Sequence, residues 1–205
     1  MDSLSFLETP VVLTLLVLTS VVSYRAFSDP GLQQQLIFNP YRMVRTRQWH
    51  PLFTHGLLHA DYVHLVFNMF ALYSFGVWLE RMLGPIEFFG LYVTALVVSC
   101  LPDLIRHRDF PGYQALGASG AVSAVMFSYI LFDPSGMLYF FFFPMPGWLF
   151  ALLFIAYSIY ADYRRYDNIG HAAHLWGALW GLAMTAILRP DAAARVLRWA
   201  ASLLS

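Results

Sequence analysis

The sequence predicts an all-α fold: a polytopic membrane helical bundle with six transmembrane helices and a long interfacial first loop. Three observations carry this reading. Of the 205 residues, 59% are hydrophobic and only 12% are charged, about half the ~25% charge of a soluble domain. The apolar residues gather into six runs close to the ~20 residues that cross a bilayer. Breakers such as Gly84-Pro85 and Asp133-Pro134-Ser135-Gly136 separate those runs.

The first helix is expected from about Thr9 to Phe27. It lacks a basic head and a small-x-small exit, so it reads as a retained helix rather than a cleaved signal peptide. Ser28 to about Ala60 is a polar and amphipathic connection holding Arg42, Arg45, Arg47, Trp49 and His50. The second helix runs from about Tyr62 to Leu83 and the third from about Pro85 to Ile105, followed by a loop with Arg106, Arg108, Asp109 and Pro111-Gly112. The fourth runs from Ser119 to Phe132. Met137 to Phe143, closed by Pro144 and Pro146, is too short to span and is expected as an interfacial connector. The fifth helix runs from about Trp148 to Tyr163 and the sixth from about Ile169 to Leu188, with a short amphipathic tail after it. No repeat or low-complexity segment interrupts the chain, which predicts one domain over residues 1–205.

Net charge is zero and all twelve basic residues are arginine, so there is no basic patch suited to nucleic acid. Cys100 is the one cysteine; no intrachain disulfide can form, and a thiol in an apolar run reads as packing.

The fourth helix is about 14 residues, roughly 21 Å at ~1.5 Å per residue, against a hydrocarbon core of about 30 Å. With its far end at one interface, the Ser119 end lies roughly 10 Å below the other. A helix start at that depth exposes unpaired N–H groups and is tolerable only around a wet, protein-lined cavity. Those groups also donate to anions. The pattern predicts a submerged polar pocket with a serine on its floor.

Three clusters bear on that pocket. Gly117-Ala118-Ser119-Gly120 puts a hydroxyl at a helix start between small residues; an N-capping serine in a packing motif has the same pattern. His174, Gly177 and Gly181 share a face of the sixth helix, so that helix can approach a neighbour closely and carry its imidazole toward Ser119. A buried structural histidine is the alternative. His171, one turn earlier, reads as a rim residue. His64 and Asn68 are i and i+4 on the second helix; both donate hydrogen bonds, as an oxyanion hole requires. His55 and His59 precede that helix and are expected to brace the loop. Serine with histidine is the minimal set for nucleophilic catalysis. Seven histidines also raise metal or haem ligation, but zinc needs three or four ligands and haem needs facing histidines; the reading is cofactor-free and metal-free. Asp167, seven residues before His174, lies near the surface, and Glu80 with Arg81 reads as a structural pair at the other membrane face. A Ser-His dyad is the natural arrangement.

Together these clusters resemble the rhomboid family of intramembrane serine proteases, over roughly Trp49 to Gly181. The resemblance rests on His59, His64 and Asn68, on Gly117 to Gly120, and on Ala173, His174 and Gly177. It implies Ser119 as nucleophile, His174 as general base and then acid, and His64, Asn68 and the Ser119 N–H as oxyanion donors. It implies transmembrane protein substrates, contact with membrane lipids, and residence as a multi-pass protein of a bacterial plasma membrane. A non-catalytic rhomboid-like binding or quality-control protein is the alternative function. Two positions depart from the family pattern. His50 stands where many members have Arg after Trp. Ser123 stands where many have a tyrosine that stacks on the histidine, so an aromatic from another helix is expected to hold His174. The family orientation, with a cytoplasmic N-terminus, puts four arginines inside and eight outside, opposite to the positive-inside rule. The second and fifth helices, with Phe67, Trp148, Phe150 and Phe154, are expected to form the substrate gate, and trimming Phe67 and Phe154 to preserve or raise cleavage.

Overall fold

The computed structural model describes residues 8–140, 143–164 and 170–202. The chain folds as α1 (Pro10–Ala26), α2 (Pro30–Leu36), α3 (Pro40–Thr46), α4 (Pro51–Thr54), a 3-10 turn (His55–Leu57), α5 (Tyr62–Leu83), α6 (Pro85–His107) and α7 (Ser119–Phe132). A two-stranded hairpin, β1 (Met137–Phe140) and β2 (Phe143–Pro146), leads to α8 (Gly147–Arg164), α9 (His171–Leu188) and α10 (Pro190–Ser202). Proline opens α1, α2, α3, α4, α6 and α10, where its missing N–H costs nothing and its fixed φ suits the helix. Asp29, Asn39 and Asp61 cap α2, α3 and α5 through side-chain oxygens.

Helix α7 is the hub. Its residues Gly120 to Val125, Phe127, Ser128 and Ile130 are buried, as expected of a helix that is apolar all round. It packs against α5, α6 and α9. The core joins Val12 and Leu15 of α1, Leu72 and Leu79 of α5, Phe88 and Leu91 of α6, and Ala121, Val122, Ala124 and Val125 of α7. Ile37 and Leu58 pin the first connection against Ala26 of α1, and Phe38 and Met43 pin it against Cys100 of α6.

The tightest contact is α7 on α9. A methyl added to Gly177 would lie 2.0 Å from the Gly120 carbonyl oxygen, and one on Gly181 would lie 2.2 Å from that of Ala124. Ser128 Oγ donates to Ala124 O of its own helix at 2.7 Å and lies 3.1 Å from Gly181 O across the same seam. Bare backbones touch here, which is the close approach expected of small residues on one helix face. Trp180 Nε1 ties α9 to Thr94 of α6 at 2.9 Å.

At the opposite end of α5, the buried Glu80 carboxylate accepts from Val11 and Val12 N–H at 3.0 and 2.8 Å. It satisfies the open first turn of α1. Arg81 does not pair with it but with Glu8, at 3.3 Å.

Helices α5 and α6, of 22 and 23 residues, are each long and apolar enough to cross a bilayer; α1 and α7 are apolar but shorter. Val17, Val21, Val66, Phe70, Phe89, Ile105, Leu152 and Ile187 stand exposed around the bundle.

Several expectations change. Within the expected interfacial connector, Met137–Phe140 and Phe143–Pro146 pair as antiparallel strands, with Met137 opposite Pro146 and Phe140 opposite Phe143. Prolines 144 and 146 cannot sit inside a helix, while the aromatic residues beside them suit a strand. The third helix continues to His107, and the sixth begins at His171; Ile169 and Asp167 lie outside the described residues. His171 is buried, not at the rim.

Candidate functional site

Ser119 opens α7, and Ala118 before it makes no side-chain cap. The serine side chain does not cap the helix; its Oγ lies 2.7 Å from His174 Nε2. The seam explains the meeting: His174 is one turn before Gly177, and Gly177 rests on Gly120, the residue after the serine. The first-turn N–H groups of α7, including that of Ser119, have no i−4 carbonyl within the helix.

The loop before Ser119 is shaped by Gly117, whose φ of 125° suits glycine alone. A methyl there would lie 3.0 Å from His64 Cε1, 3.2 Å from His64 Nε2 and 3.8 Å from Ser119 Oγ. Glycine therefore leaves open a space between the His64 imidazole and the serine hydroxyl. Asp61 Oδ1 accepts from His64 N–H at 2.7 Å, fixing the start of α5. Ala60 N–H donates to His64 Nδ1 at 3.4 Å, which leaves the ring proton on Nε2, toward that space. Asn68, buried one turn on, donates one amide hydrogen to His64 O at 2.9 Å and has a second to offer.

His55 and His59 hold the surrounding loop. His55 Nδ1–H donates to Pro51 O at 2.8 Å, and His55 O accepts from Gly117 N–H at 3.0 Å. The antiparallel bridge between Phe38 and Ala115 adds a second tie from the first connection to the serine loop. Ser23 Oγ donates to Leu57 O at 2.7 Å and so accepts from His59 Nδ1–H at 2.9 Å. Burial holds the His55 and His59 pKa values down, to about 4 and about 3. His50 donates to Gln35 O at 2.9 Å, closing the loop on α2.

The structure thus brings Ser119 and His174 into hydrogen-bond contact and sets His64 beside them, with Asn68 one turn away. Sequence reasoning missed Asp61, Ser23 and Ser99, and it assigned Phe154 to the gate rather than to the neighbourhood of His174. Asp61 carried a capping signal three residues before His64. Ser99 lies where a methyl on Gly120 would be 2.4 Å from its Oγ, and its only signal is polarity in an apolar run. Phe154 has its ring centroid 6.3 Å from that of His174. Among the described residues no group of three or more His, Cys, Asp or Glu is placed to hold a metal.

A family model described as Rhomboid domain matches residues 46–191. RHOMBOID-like protein 12, mitochondrial, of Arabidopsis thaliana is 32% identical over 77% of this chain and 51% of its own length. Rhomboid protein 1, mitochondrial, of Saccharomyces cerevisiae is 36% identical over 60% of this chain and 37% of its own. Rhomboid protease GluP of Bacillus subtilis is 34% identical over 39% of this chain and 15% of its own. The chain therefore spans about half, or less, of the relatives it matches.

Proposed function

This chain belongs to the rhomboid family, and from that premise we propose that it is an intramembrane serine endopeptidase, cleaving transmembrane protein substrates in or near the bilayer through a Ser119–His174 dyad. The observation that carries the proposal is the 2.7 Å contact between His174 Nε2 and Ser119 Oγ, within the reach of a general base. Ser119 Oγ attacks the scissile carbonyl as Nε2 takes its proton. The tetrahedral oxyanion forms in the space beside Gly117, against His64 Nε2–H, the free Asn68 amide hydrogen and the Ser119 N–H. His174 returns the proton to the leaving amine, and water then hydrolyses the acyl-enzyme by the same base.

The protein is an integral membrane protein, as its Rhomboid domain and apolar helices indicate. The proposed arrangement is a single domain over 1–205 in which α1, α5, α6, α7, α8 and α9 cross as six spans. The exposed apolar belt supports it. The partners proposed are transmembrane substrates and lipids. The sequence reading favours a bacterial plasma membrane. Two of the relatives above carry mitochondrial names, so fractionation of the native source decides the compartment.

The test is labelling by a fluorophosphonate probe, with cleavage of a tagged transmembrane substrate in liposomes. Wild-type protein should label and cleave; Ser119→Ala and His174→Ala should do neither while folding normally. An unlabelled wild type would favour the rival reading, a non-catalytic rhomboid-like binding protein, and substantial cleavage by Ser119→Ala would refute the mechanism.

A further inference from the structure

Helix α8 carries an aromatic row that meets the imidazoles of α9. The Phe154 ring lies 6.3 Å from the His174 ring, with the planes 35° apart. One turn on, Tyr157 meets His171 edge-on at 5.4 Å. His171 and His174 are 6.0 Å apart and nearly perpendicular. Two aromatic rings spaced i, i+3 on one helix thus face two imidazoles spaced i, i+3 on the next, which fixes how α8 seats on α9.

Phe154 is itself backed. Its ring lies 5.2 Å from Phe127 of α7, a residue with no exposed surface, and 5.8 Å from Phe150. One turn after Ser119 on α7 the residue is Ser123, too short to reach across an imidazole face. A hydrogen bond from Nε2 to a hydroxyl fixes where that nitrogen sits but leaves the tilt of the ring to its packing. Planar side chains pack in preferred relative orientations, and a flexible one of similar volume does not impose them.

We propose that Phe154 is a positioning residue for His174: supported by Phe127, it sets the tilt of the imidazole and so keeps Nε2 aimed at Ser119 Oγ. This rests on the dyad reading above. It makes the seating of α8 a condition for an aligned base, and it reverses the expectation that Phe154 is a gate residue whose removal speeds cleavage. A plug at an entrance, a lipid-facing filler and a positioning ring differ in their effect on a small probe that needs no lateral entry.

The experiment uses the full-length protein in liposomes, with the fluorophosphonate labelling rate at Ser119 and the kcat and KM for one tagged transmembrane substrate measured side by side. Phe154→Met keeps volume without a plane, Phe154→Leu is a second non-planar form, Phe154→Tyr keeps the plane, and Leu152→Ala alters α8 at an exposed position given no part in the site. Phe154→Met and Phe154→Leu should each lower labelling and kcat about tenfold, less than the ~10²-fold of a full 1 Å misplacement, with KM unchanged. Phe154→Tyr should stay within about twofold of wild type, as should Leu152→Ala. Unchanged labelling with faster substrate cleavage would make Phe154 a gate, and no change in either would make it filler; both overturn the inference, as does an equal loss in Leu152→Ala. A wild type that does not label at all overturns the dyad reading instead, so the two failures are told apart.

Discussion

One methyl group at Gly177 tests the geometry of the seam most directly. In Gly177→Ala the new carbon would sit 2.0 Å from Gly120 O, 2.8 Å from its carbonyl carbon and 3.1 Å from its Cα. Ordinary contact begins near 3.4 Å, so the shortfall is about 1.4 Å, and every atom it meets is backbone. No rotamer relieves it; α9 has to move away from α7. His174 is one turn up the same helix and its bond to Ser119 is 2.7 Å long. A shift of about an ångström carries Nε2 past the ~3.2 Å reach of a general base. The expected loss in kcat is ~10²-fold, rising toward the ~10⁴-fold worth of the base itself if the contact breaks. Overpacking should cost only about 1–3 kcal/mol of stability. Fluorophosphonate labelling of Ser119, paired with a thermal melt in the same detergent, separates the two effects. A folded Gly177→Ala that labels within threefold of wild type would refute the reasoning.

Three further outcomes are expected. Asn68→Ala should lower kcat by about 10²–10³ with little change in KM; a change confined to KM would assign Asn68 to substrate positioning instead. Glu80→Ala should lower the melting temperature, since two N–H groups of α1 lose their acceptor at about 1–3 kcal/mol for a buried group left unpaired, while the folded fraction labels normally. Stability should be flat above pH 6.5 and fall as pH drops toward 4, because the unfolded chain binds protons at His55 and His59 that the folded one refuses until about pH 4 and 3. The slope approaches about 1.4 kcal/mol per pH unit for each histidine; a melting temperature constant from pH 7.5 to 4.5 would count against their burial as neutral imidazoles.

Much of the bundle is legible in the sequence because its ends are written in breakers. Gly84-Pro85 places the α5–α6 junction at its residue, and Asp133-Pro134 ends α7 at Phe132. Gly177 and Gly181 announce the seam because a spacing of four residues brings two bare positions onto one face. The hairpin is not legible: an apolar run with two prolines has no period to read. The burial of His171 is also out of reach, since it depends on the Tyr157 side of α8 lying against it. The same holds for Phe154. Helix α8 has aromatic residues on several faces, and spacing within one helix does not say which of them a neighbour meets. The arginine imbalance keeps its conflict with the positive-inside rule: Arg45 and Arg108 share Asp109 and Arg106 meets Asp162, but the rule counts arginines whatever acids accompany them.

The contact of bare backbones between α7 and α9 also bears on how the protein is made. Synthesis runs from the N-terminus, so α7 and α8 emerge before α9. Until α9 arrives, the nascent chain has Ser119 without the His174 imidazole that contacts its hydroxyl, and an unactivated hydroxyl is a weak nucleophile. Nothing short of Gly177 and Gly181 settling onto Gly120 and Ala124 supplies the base. On the proposed dyad, chains stalled before that step hold Ser119 without its base, and a half-assembled molecule is inert toward the membrane proteins inserted around it.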